Sequence, residues 1–238
     1  MDSFEKITVI APGVAYRWNE NIAPPSADSF ILADFARERV RGRVCDLCGG
    51  GGLISLLLLS KGFSGEIVCA DADVTALELA RKNSLEERLC FETVRTDVNL
   101  WRESLSQESF DSVVCNPPYH EQGGKISAKR SMARSGAGCS LEAVCLAAGG
   151  ILKNGGRLFV CMKASRTAEL IVAMKNSGTE PKRLRFVAHA EGHEPYLVLC
   201  EGIKGASPSV SVAPELHMFR PDGRPSEESQ RIYYGIGD

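Results

Sequence analysis

The chain has 238 residues, 44% of them hydrophobic and 24% charged, which is enough to bury a full core without disulfide or metal staples. A formal net charge of −2 excludes nucleic-acid binding through a global basic field, so any polyanion site is a local patch. Nine cysteines scattered through apolar runs, four dispersed histidines and no apolar run longer than LISLLLL at 53–59 argue against a disulfide framework, a zinc site and a membrane span.

Residues 1–42 read as an N-terminal extension. The segment MDSFEKITVIAPG lacks a signal-peptide pattern, so a cytoplasmic protein is expected. In NIAPPSADSFILADFARERV a proline loop is capped into a helix that packs before the first strand. From 43 to 203, β-like runs alternate with helical stretches. RVCDL is a strand and GLISLLLLSKG a helix ending at Gly62. EIVCAD is a second strand. DVTALELARKNSLEE is an amphipathic helix with Asp73 as N-cap and Val74, Leu77 and Leu85 on its apolar side. LCFETVR and FDSVVC are the third and fourth strands. After a polar loop at 120–139, SLEAVCLAAGGIL is helical, NGGRLFVCM is a turn and fifth strand, and SRTAELIVAMKNSG is a helix capped by Ser165 and stopped by Gly178. RLRFVAHAEGHEPYLVLCEG reads as two antiparallel strands, and the tail 204–238 as irregular. Alternating β and α implies an α/β, Rossmann-like fold. A mostly parallel seven-stranded sheet is expected, with helices on both faces and an antiparallel C-terminal edge.

The chemistry-bearing residues fall at strand ends. CDLCGGGGLIS is the first strand-loop-helix, and Gly50 and Gly52 sit where a ligand can approach the backbone. Asp71 closes the second strand 19 residues past Gly52, the spacing at which an acid binds ribose hydroxyls. An adenosine-containing cofactor follows, either a nicotinamide dinucleotide or S-adenosylmethionine. Asp46 favours the second: an acid there suits the charged amino-acid end of S-adenosylmethionine and would sit badly beside a pyrophosphate. Asp97 with its neighbour Val98, after the third strand, is placed for the cofactor's adenine; a helix cap is the plainer role for Asp97. The fourth strand ends in Asn116-Pro117-Pro118-Tyr119. Two prolines cannot extend a ladder, so this is a rigid loop at the sheet edge where α/β proteins bind ligands.

The order D-L-C-x-G-x-G at 46–52, then Asp71, Asp97 and N-P-P-Y at 116–119, resembles class I S-adenosylmethionine-dependent methyltransferases that act on planar amide or amine nitrogens. SADSFILADFA, ILKNGGRLFV, EPKRLRFV and DGRPSEESQRIY look like the bacterial adenine-N6 methyltransferase family acting on valine tRNA. The resemblance runs through nearly the whole chain. One departure is Cys48 where the common pattern has glycine, a change tolerated if the residue does not need φ > 0.

The resemblance implies S-adenosylmethionine as cofactor (S-adenosylhomocysteine as product), held by Asp46, Cys48, Gly50, Gly52, Asp71, Asp97, Val98 and Asn116. Catalysis falls to Asn116, Pro117, Pro118 and Tyr119. The Asn116 side-chain oxygen and the Pro117 carbonyl would accept hydrogen bonds from an adenine amine, favouring a pyramidal nitrogen and offsetting its developing charge. Tyr119 offers a stacking face for the base. Lys125, Lys129, Arg130 and Arg134 form a basic flap for RNA, expected to be tRNA, and KRLRF at 182–186 a second patch. The rival within this class is a protein glutamine-N5 methyltransferase, though only about 42 residues precede the first strand, few for that family's separate substrate domain. A ribosomal guanine-N2 enzyme is another alternative, and a non-catalytic cofactor- or RNA-binding module the reading from a different class.

Overall fold

The computed structural model of the protein describes residues 5–117 and 139–235. A central sheet runs in the order β10-β8-β9-β7-β6-β3-β4-β5 with β11 also on β8. Its seven main strands are β3 (Val44–Leu47), β4 (Ile67–Asp71), β5 (Glu92–Arg95), β6 (Phe110–Cys115), β7 (Leu152–Lys163), β8 (Thr179–Ala188) and β9 (Leu197–Lys204). The first five are parallel, while β9 runs antiparallel between β7 and β8. The expected mostly parallel sheet with an antiparallel edge is therefore present. Two-residue strands β10 (Ser211–Val212) and β11 (Leu216–His217) add to β8.

The central strands are apolar on both faces because both faces are covered. Val113 and Cys115 of β6, with Leu158, Val160 and Met162 of β7, face the core under α4 (Leu141–Ile151) and α5 (Thr167–Asn176). Their neighbours Val114, Phe159 and Cys161 face the core under α1 (Ala27–Arg37), α2 (Leu53–Ser60) and α6 (Glu227–Tyr234). The alternation of consecutive residues between two cores is the period-two geometry of a strand. On β9, Glu201 is fully buried, surrounded by Arg39, Arg157 and Arg183, so this internal charge is paired.

Four local expectations change. Residues 6–18 form an antiparallel hairpin, β1 (Lys6–Ala11) and β2 (Val14–Trp18), where the sequence reading had only a loop before the helix. Its signal was available in Pro12-Gly13, since Gly13 has φ 73° and a Pro-Gly pair marks a tight turn. Helix α3 (Val74–Glu87) starts at Asp73 as expected, whose side chain accepts from the Thr75 and Ala76 amides. Its buried side, however, is Ala76, Leu77, Leu79, Ala80, Asn83 and Ser84, leaving Val74 47% and Leu85 72% exposed. Close packing against the glycine loop selects small residues there: a Cβ on Gly52 would stand 3.3 Å from that of Ala80. Ser165 does not cap α5; it lies in a 3-10 turn, and Arg166 precedes the helix without a side-chain cap bond. Gly178 does turn the chain beyond it, with φ 76°. The tail is not irregular throughout: Ser226 caps α6, and its Ile232 is buried in the core that α1 and α2 cover.

Candidate active site

The strand order reverses around β3: β4 and β5 lie to one side and β6 to the other. In open α/β sheets the crevice at such a reversal, beyond the carboxyl ends of the strands, is the ligand site. A cavity of about 400 Å³ occupies it, within the range of cofactor pockets. Its lining includes Cys48, Gly50, Asp71, Asp97, Val98, Asn116 and Pro117, seven of the nine expected site residues that fall among the described ones. Pro118, Tyr119, Lys125, Lys129, Arg130 and Arg134 lie outside the described residues.

The loop after β3 is folded by three left-handed residues in alternation: Cys48 (φ 59°), Gly50 (φ 55°) and Gly52 (φ 79°). Cys48 therefore occupies a conformation that favours glycine, and the condition on which its presence looked harmless is not met. Its half-buried thiol is within hydrogen-bond reach of the Cys115 and Cys139 thiols, and the Cys115 contact raises its pKa. Gly49, Gly51 and Gly52 have packing reasons to be glycine. An added Cβ would lie 2.7 Å from Cys69 Sγ, 2.5 Å from Tyr16 Oη and 2.7 Å from the Phe91 ring respectively. Gly50 differs: nothing lies within 4 Å of its Cβ position, and its carbon faces open space in the lining. Gly52 is absent from that lining and serves the turn.

Asp71 braces the loop from the end of β4. Its Oδ2 accepts from the Gly50 N–H (2.9 Å) and its Oδ1 from the Asp73 N–H (2.9 Å). Asp97 Oδ1 accepts from the Asn99 backbone and side chain at 2.9 and 3.0 Å. It thus closes a local turn instead of capping the 3-10 turn that follows, Trp101–Glu103, whose N-cap position is Leu100.

Asp46 is placed differently from the expectation of a direct cofactor contact. It is fully buried beneath the loop, outside the cavity lining, and its Oδ2 accepts from the Ser55 amide (3.1 Å) and hydroxyl (2.7 Å). Oδ1 is buried without a hydrogen-bond partner. Burial pushes the carboxyl pKa up to about 7, against the two Ser55 bonds and with a further push from Asp71.

Sequence reasoning missed the cavity's other wall. Tyr16, Asn21, Ile22, Pro24, Ser26 and Ser29, all from the segment before β3, line it. Asn83 of α3, fully buried, fastens the hairpin over the glycines: its Nδ2 donates to the Arg17 and Gly51 carbonyls (3.1 and 3.0 Å) and its Oδ1 accepts from the Arg17 N–H (2.9 Å). KRLRF is likewise not a free basic patch. Arg183 binds Glu201 and the Phe35 carbonyl, Arg185 makes a two-pronged ion pair with Glu228, and Lys182 reaches the Ser207 carbonyl.

Residues 26–180 match the methyltransferase small domain model. The chain belongs to the methyltransferase small domain family. Two relatives are called tRNA1(Val) (adenine(37)-N6)-methyltransferase. That of Shewanella baltica is 29% identical over 155 residues, 63% of this chain and 60% of the relative. That of Shewanella sediminis is 24% identical over 225 residues, 90% of this chain and 91% of the relative. The chain thus spans about 60% of the length of the first of these. A ribosomal RNA small subunit methyltransferase C from Haemophilus influenzae is 32% identical over 91 residues, 38% of this chain and 26% of that protein. Among solved structures, a predicted O-methyltransferase from Agrobacterium tumefaciens superposes with TM-score 0.71 at 20% identity, over 87% of this chain and 95% of the other. The T. thermophilus 16S rRNA N2 G1207 methyltransferase, solved with AdoMet and guanosine, gives 0.59 at 20% identity, over 84% and 50%.

The cofactor of this methyltransferase small domain is S-adenosylmethionine, and the residues fit it. The open Gly50 position offers a close backbone approach, and two acids in the cavity lining, Asp71 and Asp97, stand at successive strand ends. Among the described residues no cluster of His, Cys, Asp and Glu could hold a metal ion, and no helix is long and apolar enough to cross a membrane.

Proposed function

We propose that this protein methylates the exocyclic N6 amine of an adenine in RNA, with tRNA as the substrate class. The observation that carries the reading is the position of Asn116 and Pro117. They follow β6 directly and line the same cavity as Gly50, Asp71, Asp97 and Val98. The acceptor site and the cofactor site are thus two walls of one crevice, as an in-line transfer needs.

S-adenosylmethionine supplies an electrophilic methyl group on its sulfonium. Asp71 would take its ribose hydroxyls, Asp97 and Val98 would hold the adenine, and Cys48 and Gly50 would give the backbone wall. Asp46 acts from beneath the loop through Ser55 and its charge. Asn116 Oδ1 and the Pro117 carbonyl accept hydrogen bonds from the incoming amine. Those bonds orient its lone pair and offset the positive charge that grows as the nitrogen becomes four-coordinate. No general base is required, since the proton can leave to water after transfer. An adenine in a folded RNA must be splayed out to reach this crevice. The whole-length likeness to a valine-tRNA adenine methyltransferase supports tRNA, and the shorter likeness to a ribosomal enzyme supports RNA more broadly.

The test is methyl transfer from deuterated S-adenosylmethionine to unmodified tRNA, followed by nucleoside mass analysis. Labelled N6-methyladenosine, lost in Asn116→Ala, is expected. Label on guanine N2, or only on glutamine in an added protein extract, would overturn the adenine assignment. Cofactor binding without transfer to any of these would favour the non-catalytic reading.

A further inference from the structure

A carboxamide can serve an acceptor amine only if its oxygen, not its nitrogen, faces that amine. The terminal torsion of asparagine is broad and two-fold, so the strand alone does not choose between the two. In this protein two side chains from distant parts of the chain do. Asn116 Nδ2 donates to Ser29 Oγ at 3.0 Å, and the Cys161 thiol donates to Asn116 Oδ1 at 3.2 Å.

Both partners are themselves held. Ser29 is 7% exposed in the first turn of α1, its amide donates to the N-cap Ser26 Oγ (3.3 Å), and its hydroxyl lies 3.0 Å from the same oxygen. Cys161 is fully buried in β7, one residue beyond the partner of Cys115. A reversed carboxamide would need the Ser29 hydroxyl to turn from acceptor to donor, would leave its N–H only the thiol sulfur, a weak acceptor, and would point an N–H at an amine that brings N–H groups of its own.

We propose that Ser29 and Cys161 are positioning residues that hold the Asn116 carboxamide with its oxygen presented to the acceptor nitrogen. The inference rests on the N-methyltransferase reading above. It also gives the first turn of α1, outside the glycine-loop and N-P-P-Y motifs, a role in catalysis through Asn116. Ser29 also lines the cavity, so loss of cofactor contact must be separated from loss of orientation.

The experiment is a double-mutant cycle in the full chain. It uses Ser29→Ala, Ser29→Thr and Cys161→Ala, each alone and with Asn116→Ala, assayed with unmodified tRNA. Ser29→Ala is expected to lower kcat roughly five- to tenfold, the loss of one orienting hydrogen bond. KM for RNA and Kd for S-adenosylmethionine should stay within about twofold. Ser29→Thr, which keeps the hydroxyl, should recover most of the rate. Cys161→Ala should lower kcat in the same sense but less, because a thiol is a weak donor. In the Asn116→Ala background neither substitution should matter further. An unchanged kcat in both alanine variants, or an equal loss with and without Asn116, overturns the inference. If Ser29→Ala does not fold, Cys161→Ala on its separate strand decides. Wild-type turnover on another amine instead of adenine overturns the adenine reading alone, and the cycle is then run on that acceptor. No wild-type turnover on any acceptor overturns both.

Discussion

The glycine loop at 48–52 and Asn116 line one crevice from the ends of neighbouring strands, yet they are built by opposite means. The loop works through backbone. Three left-handed residues turn it, and three of its four glycines exist because Cys69, Tyr16 and Phe91 leave no room for a Cβ. The Asn116 side works through a side chain, held by a hydroxyl from residue 29 and a thiol from residue 161. A backbone device is local and tolerates little added volume where a neighbour stands against it. A side-chain device is spread over the chain and can be weakened one bond at a time.

Asn116→Ala tests the side-chain half most severely. It should lower kcat about a hundred- to thousandfold, the loss typical of removing a preorganised polar group at a reacting centre. Titration calorimetry should show S-adenosylmethionine still bound. Loss of both together would mean that the two walls are not separable.

The support beneath the loop comes next. The folded Asp46 carboxyl, with a pKa of about 7, lies well above its ordinary value of 3.8. Its contribution to stability is therefore fully present below about pH 4 and is lost as pH rises to about 7, an effect of up to roughly 4 kcal/mol by linkage. Urea denaturation should show this fall, and Asp46→Asn should flatten it. The same slope in the variant would place the proton elsewhere.

Gly52→Ala is expected to cost about 1–3 kcal/mol in the same assay, from the Phe91 clash and the left-handed backbone. Gly50→Ala, with open space at its Cβ position, should cost less in stability but weaken cofactor binding. Equal effects at the two positions would erase the distinction between turn glycine and contact glycine. The smallest effect is expected at Cys48. Cys48→Gly relieves a left-handed strain of about 1–2 kcal/mol but adds unfolded-chain entropy of about 0.5–1 kcal/mol. The midpoint should therefore rise slightly, and a large fall would show that the thiol contacts with Cys115 and Cys139 outweigh the backbone.

Much of the fold was readable because its signals are short-range. The strand-helix alternation, the Asp73 cap, the glycine turn and the acids at strand ends each depend on residues within a few positions of one another. The parallel order followed from that alternation, and the antiparallel edge from the closing pair of strands. Misreadings came where packing overrides local pattern. In α3, Ala76, Ala80 and Asn83 mark the buried side better than Val74 and Leu85, because the neighbouring glycine loop admits only small or hydrogen-bonding groups. The basic run KRLRF looked like a surface patch, but its partners Glu201 and Glu228 are 18 and 43 residues away.

The sequence by itself determined the α/β architecture and the crevice at the strand ends, with one wall of its lining, because backbone turns and strand termini are encoded locally. Only the tertiary structure decided that Asp46 lies under the loop instead of in the cavity, that residues 16–29 close its second wall, and that Ser29 and Cys161 grip Asn116. Each of these depends on which distant segments share a face of the sheet, and side-chain direction across such distances is set by packing, not by spacing along the chain.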